Sequence, residues 1–164
     1  MIRLLEDENS SNLKLYDTVS YAGHYWYVIG KRGNEVTLLA AFDDYGRYIF
    51  DEESDNYKTS KIRKYLNSTI LSELESKGAN PIPTNLSDVG CTDNVYLLSV
   101  EEAEKLPMNK SKFGKCWWLR SRGLHDISAA FVWPNGGVYD SGCYVDNDLN
   151  EVRPAMKVSM DELR

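Results

Sequence analysis

The densest store of potential chemistry is the run Asp146-Asn147-Asp148-Leu149-Asn150-Glu151, near the C-terminal end. Clustered carboxylate and amide oxygens are what a hard cation such as calcium takes. A twelve-residue calcium loop needs glycine at its sixth position, where Glu151 stands. Catalysis has less to draw on. Of the two histidines, His24 lies in an aromatic stretch and reads as structural or surface, and His125 lies among small polar residues. Cys91, Cys116 and Cys143 are odd in number and lack Cys-x-x-Cys spacing, which points to neither a disulfide framework nor a zinc site. No acid pair stands in a motif for glycoside hydrolysis. The expectation is a non-enzyme with no catalytic residue, no cofactor and no metal.

Binding chemistry is better supplied. Residues 124–150 contain no Lys, Glu, Gln or Met, although the whole chain has eleven Lys, twelve Glu and four Met. An even spread would leave such a gap in about one chain in a hundred. Tyr, Trp, Phe, His, Asp, Asn, Ser and Gly fill it instead. Rigid aromatics give contact area at low entropy cost, and small polar residues give adaptable hydrogen bonds, as in a paratope.

The rest of the chain must position that window. A length of 164 residues suits one domain, and a net charge of −6 argues against nucleic acid as a partner. No apolar run is long enough for membrane insertion, and the first residues are too acidic for a signal peptide. The expectation is a soluble protein, with its compartment left open. Residues 1–14 read as a flexible segment and 15–164 as a single domain. Three short strands follow from Asp17, the second and third forming a hairpin closed by Gly33-Asn34, with Trp26, Val28, Val36 and Leu38 on one buried face. Residues 43–56 read as an acidic loop. Ile62, Tyr65, Leu66, Ile70, Leu71 and Leu74 recur at helical spacing, with Thr59 or Ser60 as cap, Ser68 as cap of a second turn, and Gly78 as the stop. Residues 94–99 (NVYLLS) read as a strand, and Ser99-Val100-Glu101-Glu102 as a capping box opening a short helix.

Beyond Cys116 the pattern changes to short antiparallel strands around Val132, Val138, Val145 and Val152. Alternation puts Phe131 and Trp133 opposite Val132, and points Tyr139 and Tyr144 away from Val138 and Val145. Trp117 and Trp118 face opposite sides of one strand, so at least one enters the core. Arg120 and Arg153, set in apolar segments, read as structural guanidinium groups bonded to backbone carbonyls or a carboxylate. The order of elements gives an α+β class.

The segments CWWLRSRG (116–123), AAFV (129–132) and VRPAM (152–156), with YKTSKIRKYLN (57–67) and TDNVYLLSVEEA (92–103), resemble a bacterial and prophage family of C-type-lectin-like domains. Many of its members are variable proteins of diversity-generating retroelements. The resemblance implies a C-type-lectin-like fold of short irregular antiparallel strands with two or three helices, and a variable region at about 117–156. It also implies a cause for the composition gap. A reverse transcriptase that mutates adenines turns Asn codons into codons for Tyr, His, Asp, Ser, Gly, Cys, Leu, Ile or Phe, never Lys, Glu, Gln, Met or Trp.

Carried onto this chain, the fixed frame comprises Trp117, Trp118, Arg120, Val132, Val138, Val145 and Arg153, with neighbouring Leu, Ala, Gly and Pro positions. The exposed ligand-binding positions are His125, Asp126, Ser128, Phe131, Asn135, Tyr139, Ser141, Tyr144, Asp146, Asp148 and Leu149, with Ile127, Asp140, Cys143 and Asn150 undecided. Trp133 joins the binding face although adenine mutagenesis does not produce it. The implied partner is an unknown protein or glycan on residues 124–150, of basic character given the acids, and oligomer formation stays open. Alternatives are a calcium-dependent glycan lectin, although the Glu-Pro-Asn sugar triplet is absent, and an assembly domain of a phage or surface protein.

Overall fold

The computed structural model describes residues 13–42, 44–108 and 114–163. Apart from Leu13 and Lys14, the segment 1–14 lies outside the described residues. Strands β1 (Thr18–Tyr21), β2 (His24–Arg32) and β3 (Glu35–Ala40) form an antiparallel meander. Trp26, Val28, Val36 and Leu38 are all fully buried, as alternation requires of one core-facing surface. Gly33 at φ +60° supplies the left-handed turn between β2 and β3.

The loop to residue 56 leads into a helical stretch with three characters. A 3₁₀ turn (Tyr57–Thr59) precedes α1 (Lys61–Tyr65), a π turn (Leu66–Ile70) and α2 (Leu71–Ser76). Ser60 caps α1 by accepting from the Arg63 amide. Ser68 does not cap a second turn as the sequence suggested. Its hydroxyl donates back to the Lys64 carbonyl at 2.5 Å, a bond that competes with the regular helix ladder. Gly78, at φ +91°, ends the helix.

Strands β4 (Thr84–Leu86) and β5 (Cys91–Asp93) form a small hairpin that the sequence reading missed. After it, residues 94–99 are extended but are not the expected strand; their one bridge joins Tyr96 to Ala155. Side chains share the bonding of their backbone with scattered main-chain groups. Asn67 accepts from the Val95 amide and donates to its carbonyl, and Arg120 Nη1 donates to the Leu97 carbonyl. The Ser99 capping box then opens α3 (Val100–Glu104) as expected. Arg63 of α1 grips the buried Asp93 carboxylate through both oxygens, at 2.7 to 3.1 Å.

The last elements are β6 (Trp117–Arg122), β7 (Ser128–Val132), β8 (Val138–Tyr144) and β9 (Ala155–Ser159), then a 3₁₀ turn (Met160–Leu163). Strands β6, β7 and β8 make a second antiparallel sheet, and β9 returns to pair with β3 and complete the first. The result is an α+β chain of mostly antiparallel sheets with few helices. Among the described residues no helix is long and apolar enough to cross a membrane. Val152 falls in no regular strand, but it is fully buried.

His24 ties β2 to α2 and to the acidic loop. Its Nδ1 lies 2.9 Å from Asp44 and its Nε2 2.9 Å from Glu73. Burial pulls the imidazole pKa down, but hydrogen bonds and charge from both acids outweigh it and hold the pKa above the ordinary histidine value. A raised folded-state pKa adds stability that is full below the unfolded value near 6.5 and lost as pH rises through the folded value. Thermal midpoints should therefore fall from slightly acid to mildly alkaline pH. In His24→Gln this part of the dependence should vanish, which melts of both proteins across that range will check.

Candidate functional site

Strand β7 is the middle of its sheet, and all of its residues, Ser-Ala-Ala-Phe-Val, are buried. With both faces covered it cannot show an exposed side, and this corrects two expectations. Ser128 is buried, its hydroxyl donating to the His125 carbonyl at 2.5 Å with the Ser141 carbonyl at 3.3 Å. Phe131 is only 4% exposed. It does share a face with Trp133, as alternation indicated, but as the floor beneath more exposed rings. Its ring lies 5.0 Å from Trp133 and 5.3 Å from Tyr139, and those two are 5.8 Å apart. Near-perpendicular and tilted contacts of this kind add about 0.5–1.5 kcal/mol each beyond area burial.

Trp133 and Tyr139 remain 44% and 40% exposed, and Tyr144 is 69% exposed. The turn between β7 and β8 holds this arrangement. The Trp133 amide donates to the Gly137 carbonyl, the Gly136 amide to the Trp133 carbonyl, and Asn135 Oδ1 accepts from the Gly137 amide. Asn135 is thus exposed while its carboxamide braces the turn. A second side-chain-braced turn, in which Asn147 Oδ1 accepts from the Leu149 amide, displays Asp146, Asp148 and the 62%-exposed Leu149. His125 and Asp126 are exposed, and Ser141 is half-buried. Of the undecided positions, Ile127 and Asp140 are exposed, Cys143 is half-buried, and Asn150 is buried with its amide donating to the Cys143 thiol.

The residues assigned to the frame are less accessible. Trp117 and Trp118 are both fully buried, not just one of them, and the Trp118 indole donates to the Tyr48 carbonyl at 2.7 Å. Val132 and Val145 are fully buried, and Val138 is half-buried. Arg120 pairs with Asp88 and Glu102 while reaching the Leu97 carbonyl. Arg153 donates to the Ala40 carbonyl and lies 4.7 Å from the Trp117 ring centre. Burial without a carboxylate partner pushes its pKa down to about 10. Gly142 sits at φ +83°, where an added Cβ would come within 2.7 Å of the Ala129 carbonyl oxygen. A side chain there would force β8 away from β7.

Asp126, Asp140, Asp146 and Asp148 are all exposed, and residues 124–150 carry no Lys or Arg to balance them. The exposed surface of this stretch thus combines aromatic rings with unbalanced carboxylates. Among the described residues no three His, Cys, Asp or Glu side chains are grouped to hold a metal. The structure also reveals a cleft of about 670 Å³ beside Phe131 and Trp133 that the sequence reading missed. Arg47, Lys115 and Glu151 line it, with the Lys115 ammonium 3.9 Å from the buried Glu151 carboxylate. Its walls also include Cys116 and Cys143, whose thiols burial raises. No sequence signal joins positions so far apart; backbone bridges from Glu151 to Arg47 and to Trp117 do so.

In comparisons with protein-family models, with curated proteins and with solved structures, the chain matches none.

The geometry separates two kinds of aromatic residue. Phe131→Ala should cost about 3–5 kcal/mol in urea unfolding, as a buried aromatic truncation. Tyr144→Ala, at an exposed position, should change stability by no more than about 0.5 kcal/mol.

Proposed function

We propose that the chain is a non-enzymatic ligand-binding domain of C-type-lectin-like fold whose β7–β8 face is diversified by a retroelement, for recognition of a protein or cell-surface ligand. The observation that carries this reading is a coincidence of two independent features. The stretch lacking Lys, Glu, Gln and Met is also the stretch where Trp133, Tyr139, Tyr144 and Leu149 stand exposed among acids on a buried frame. Exposed aromatics at a rigid site are the residues in which binding energy concentrates. The irregular register of the small sheet, with shifts between Trp118 and Arg122 and between Ala129 and Phe131, fits the short irregular strands that the family resemblance implies.

Ile127 adds a physical argument. Its backbone is left-handed, at φ +55°, and its side chain is 49% exposed. Tyr16 and Ala22 also have positive φ, but neither is β-branched. A β-branched residue is among the worst choices for this geometry, and Asn among the best after Gly. Selection for stability does not account for isoleucine here. Adenine mutagenesis of an Asn codon does, because Ile is one of its products. Phe131 counts the other way for one position, since a buried floor residue is poorly suited to free variation and belongs with the frame.

Two measurements test the reading. The DNA flanking the gene should hold a reverse-transcriptase gene and a near-copy of the segment for 124–150, with adenine-bearing Asn codons at 127, 139 and 144. Sibling genes that differ evenly along their whole length would overturn it. Ile127→Asn should raise stability by about 1 kcal/mol in equilibrium unfolding, by relieving the left-handed strain.

A further inference from the structure

We propose that the cleft beside Trp133 is a pocket for the carboxy-terminal residue of a polypeptide ending in an apolar side chain, with Arg47 receiving the terminal carboxylate. This deepens the binding-face reading and rests on it, because Trp133 and Phe131 belong to both the face and the cleft. The volume of about 670 Å³ falls within the range of small-ligand pockets, roughly 300–1,000 Å³. Phe131, Trp133 and Leu149 give it apolar walls, and Leu149 is 62% exposed with no packing reason of its own to be leucine.

Charge selects the occupant. Glu151 is the one carboxylate among the residues lining the cleft, and Lys115 lies 3.9 Å from it. Arg47 is exposed and makes no ion pair among the described residues. Internal pairing therefore leaves the cleft with one residual positive charge, inside a face whose exposed acids, Asp126, Asp140, Asp146 and Asp148, are unbalanced. A guanidinium presents a planar fork that a carboxylate meets with two hydrogen bonds. An uncharged apolar group would leave that charge unused, and a cation would be repelled by it. A chain end combines the two required parts, an apolar side chain and a carboxylate on the same residue, and its preceding residues would lead out across the aromatic face.

The test uses four probes: acetyl-Gly-Gly-Gly-Phe as free acid, the same peptide as C-terminal amide, 3-phenylpropionate, and the acid peptide with Asp in place of Phe. Binding is read from the indole N–H resonance of Trp133 in ¹H–¹⁵N spectra of the full chain. The free-acid Phe peptide should bind about tenfold tighter than its amide, the worth of one charge-assisted pair. It should also bind tighter than 3-phenylpropionate and than the Asp peptide. Arg47→Gln, at an exposed side chain, should remove the preference for acid over amide while leaving the thermal midpoint unchanged. Equal binding of acid and amide, a preference that survives in Arg47→Gln, or no shift with any probe would overturn the pocket. Tighter binding of 3-phenylpropionate than of the peptide would overturn the polypeptide end as occupant. None of these outcomes bears on the flanking DNA, so the pocket and the diversification reading fail separately.

Discussion

Buried backbone amides and carbonyls must find hydrogen-bond partners, and residues 93–99 show how much of this structure follows from that demand. Beyond Asp93, the last residue of β5, the segment passes through the core with a single bridge, Tyr96 to Ala155, in place of a ladder. Its partners come from everywhere else. Asn67 serves both polar groups of Val95, Ala155 exchanges bonds with Tyr96, Arg120 serves Leu97 by its side chain and Leu98 by its amide, and Glu102 and Ser121 take the amides of Ser99 and Val100. A helix, the last strand of the first sheet and the first strand of the second are thereby fixed to one line of chain. The side chains that serve this backbone are Asn67, Glu102, Arg120 and Ser121, and Arg63 secures the start of the segment by holding the Asp93 carboxylate.

That arrangement explains why the β7–β8 face can be irregular without being loose. Strand β7 has neighbours on both edges and cover on both faces, so it takes little from the loops around it. The charged groups that hold the frame are each neutralised or stacked: Arg63 on buried Asp93, Arg120 between Asp88 and Glu102, Arg153 over Trp117. Exposed positions from 125 to 149 contribute area and charge outward and few bonds inward. The buried frame and the exposed surface are therefore carried by different residues even though they alternate along the same strands.

Features decided by local periodicity or by a turn were legible in the sequence. The buried face of Trp26, Val28, Val36 and Leu38 follows from alternation, the start of α3 from the Ser99 capping box, and the end of α2 from Gly78. The α+β class and the outward direction of Tyr139 and Tyr144 followed in the same way. Where partners come from distant chain, periodicity misleads. Residues 94–99 have the composition of a strand but bond to scattered side chains and main-chain groups in place of a ladder, and Ser128 and Phe131 sit on a strand with no free face. The small β4–β5 hairpin has too few residues to produce a pattern. The cleft was invisible because its charged residues, Arg47, Lys115 and Glu151, meet only after both sheets are built.

The pairing of β9 with β3 also sets an order of synthesis. The strand that completes the N-terminal sheet is encoded downstream of residues 124–150, so ribosomes must cross that stretch before the first sheet can close. A shifted reading frame anywhere in that stretch replaces Ala155 to Ser159 and leaves the edge of β3 and its buried Leu38 and Leu39 without cover. Such a chain alters residues 124–150 and opens the first sheet together. Completion of the N-terminal sheet thus depends on the reading frame holding through the whole of that stretch.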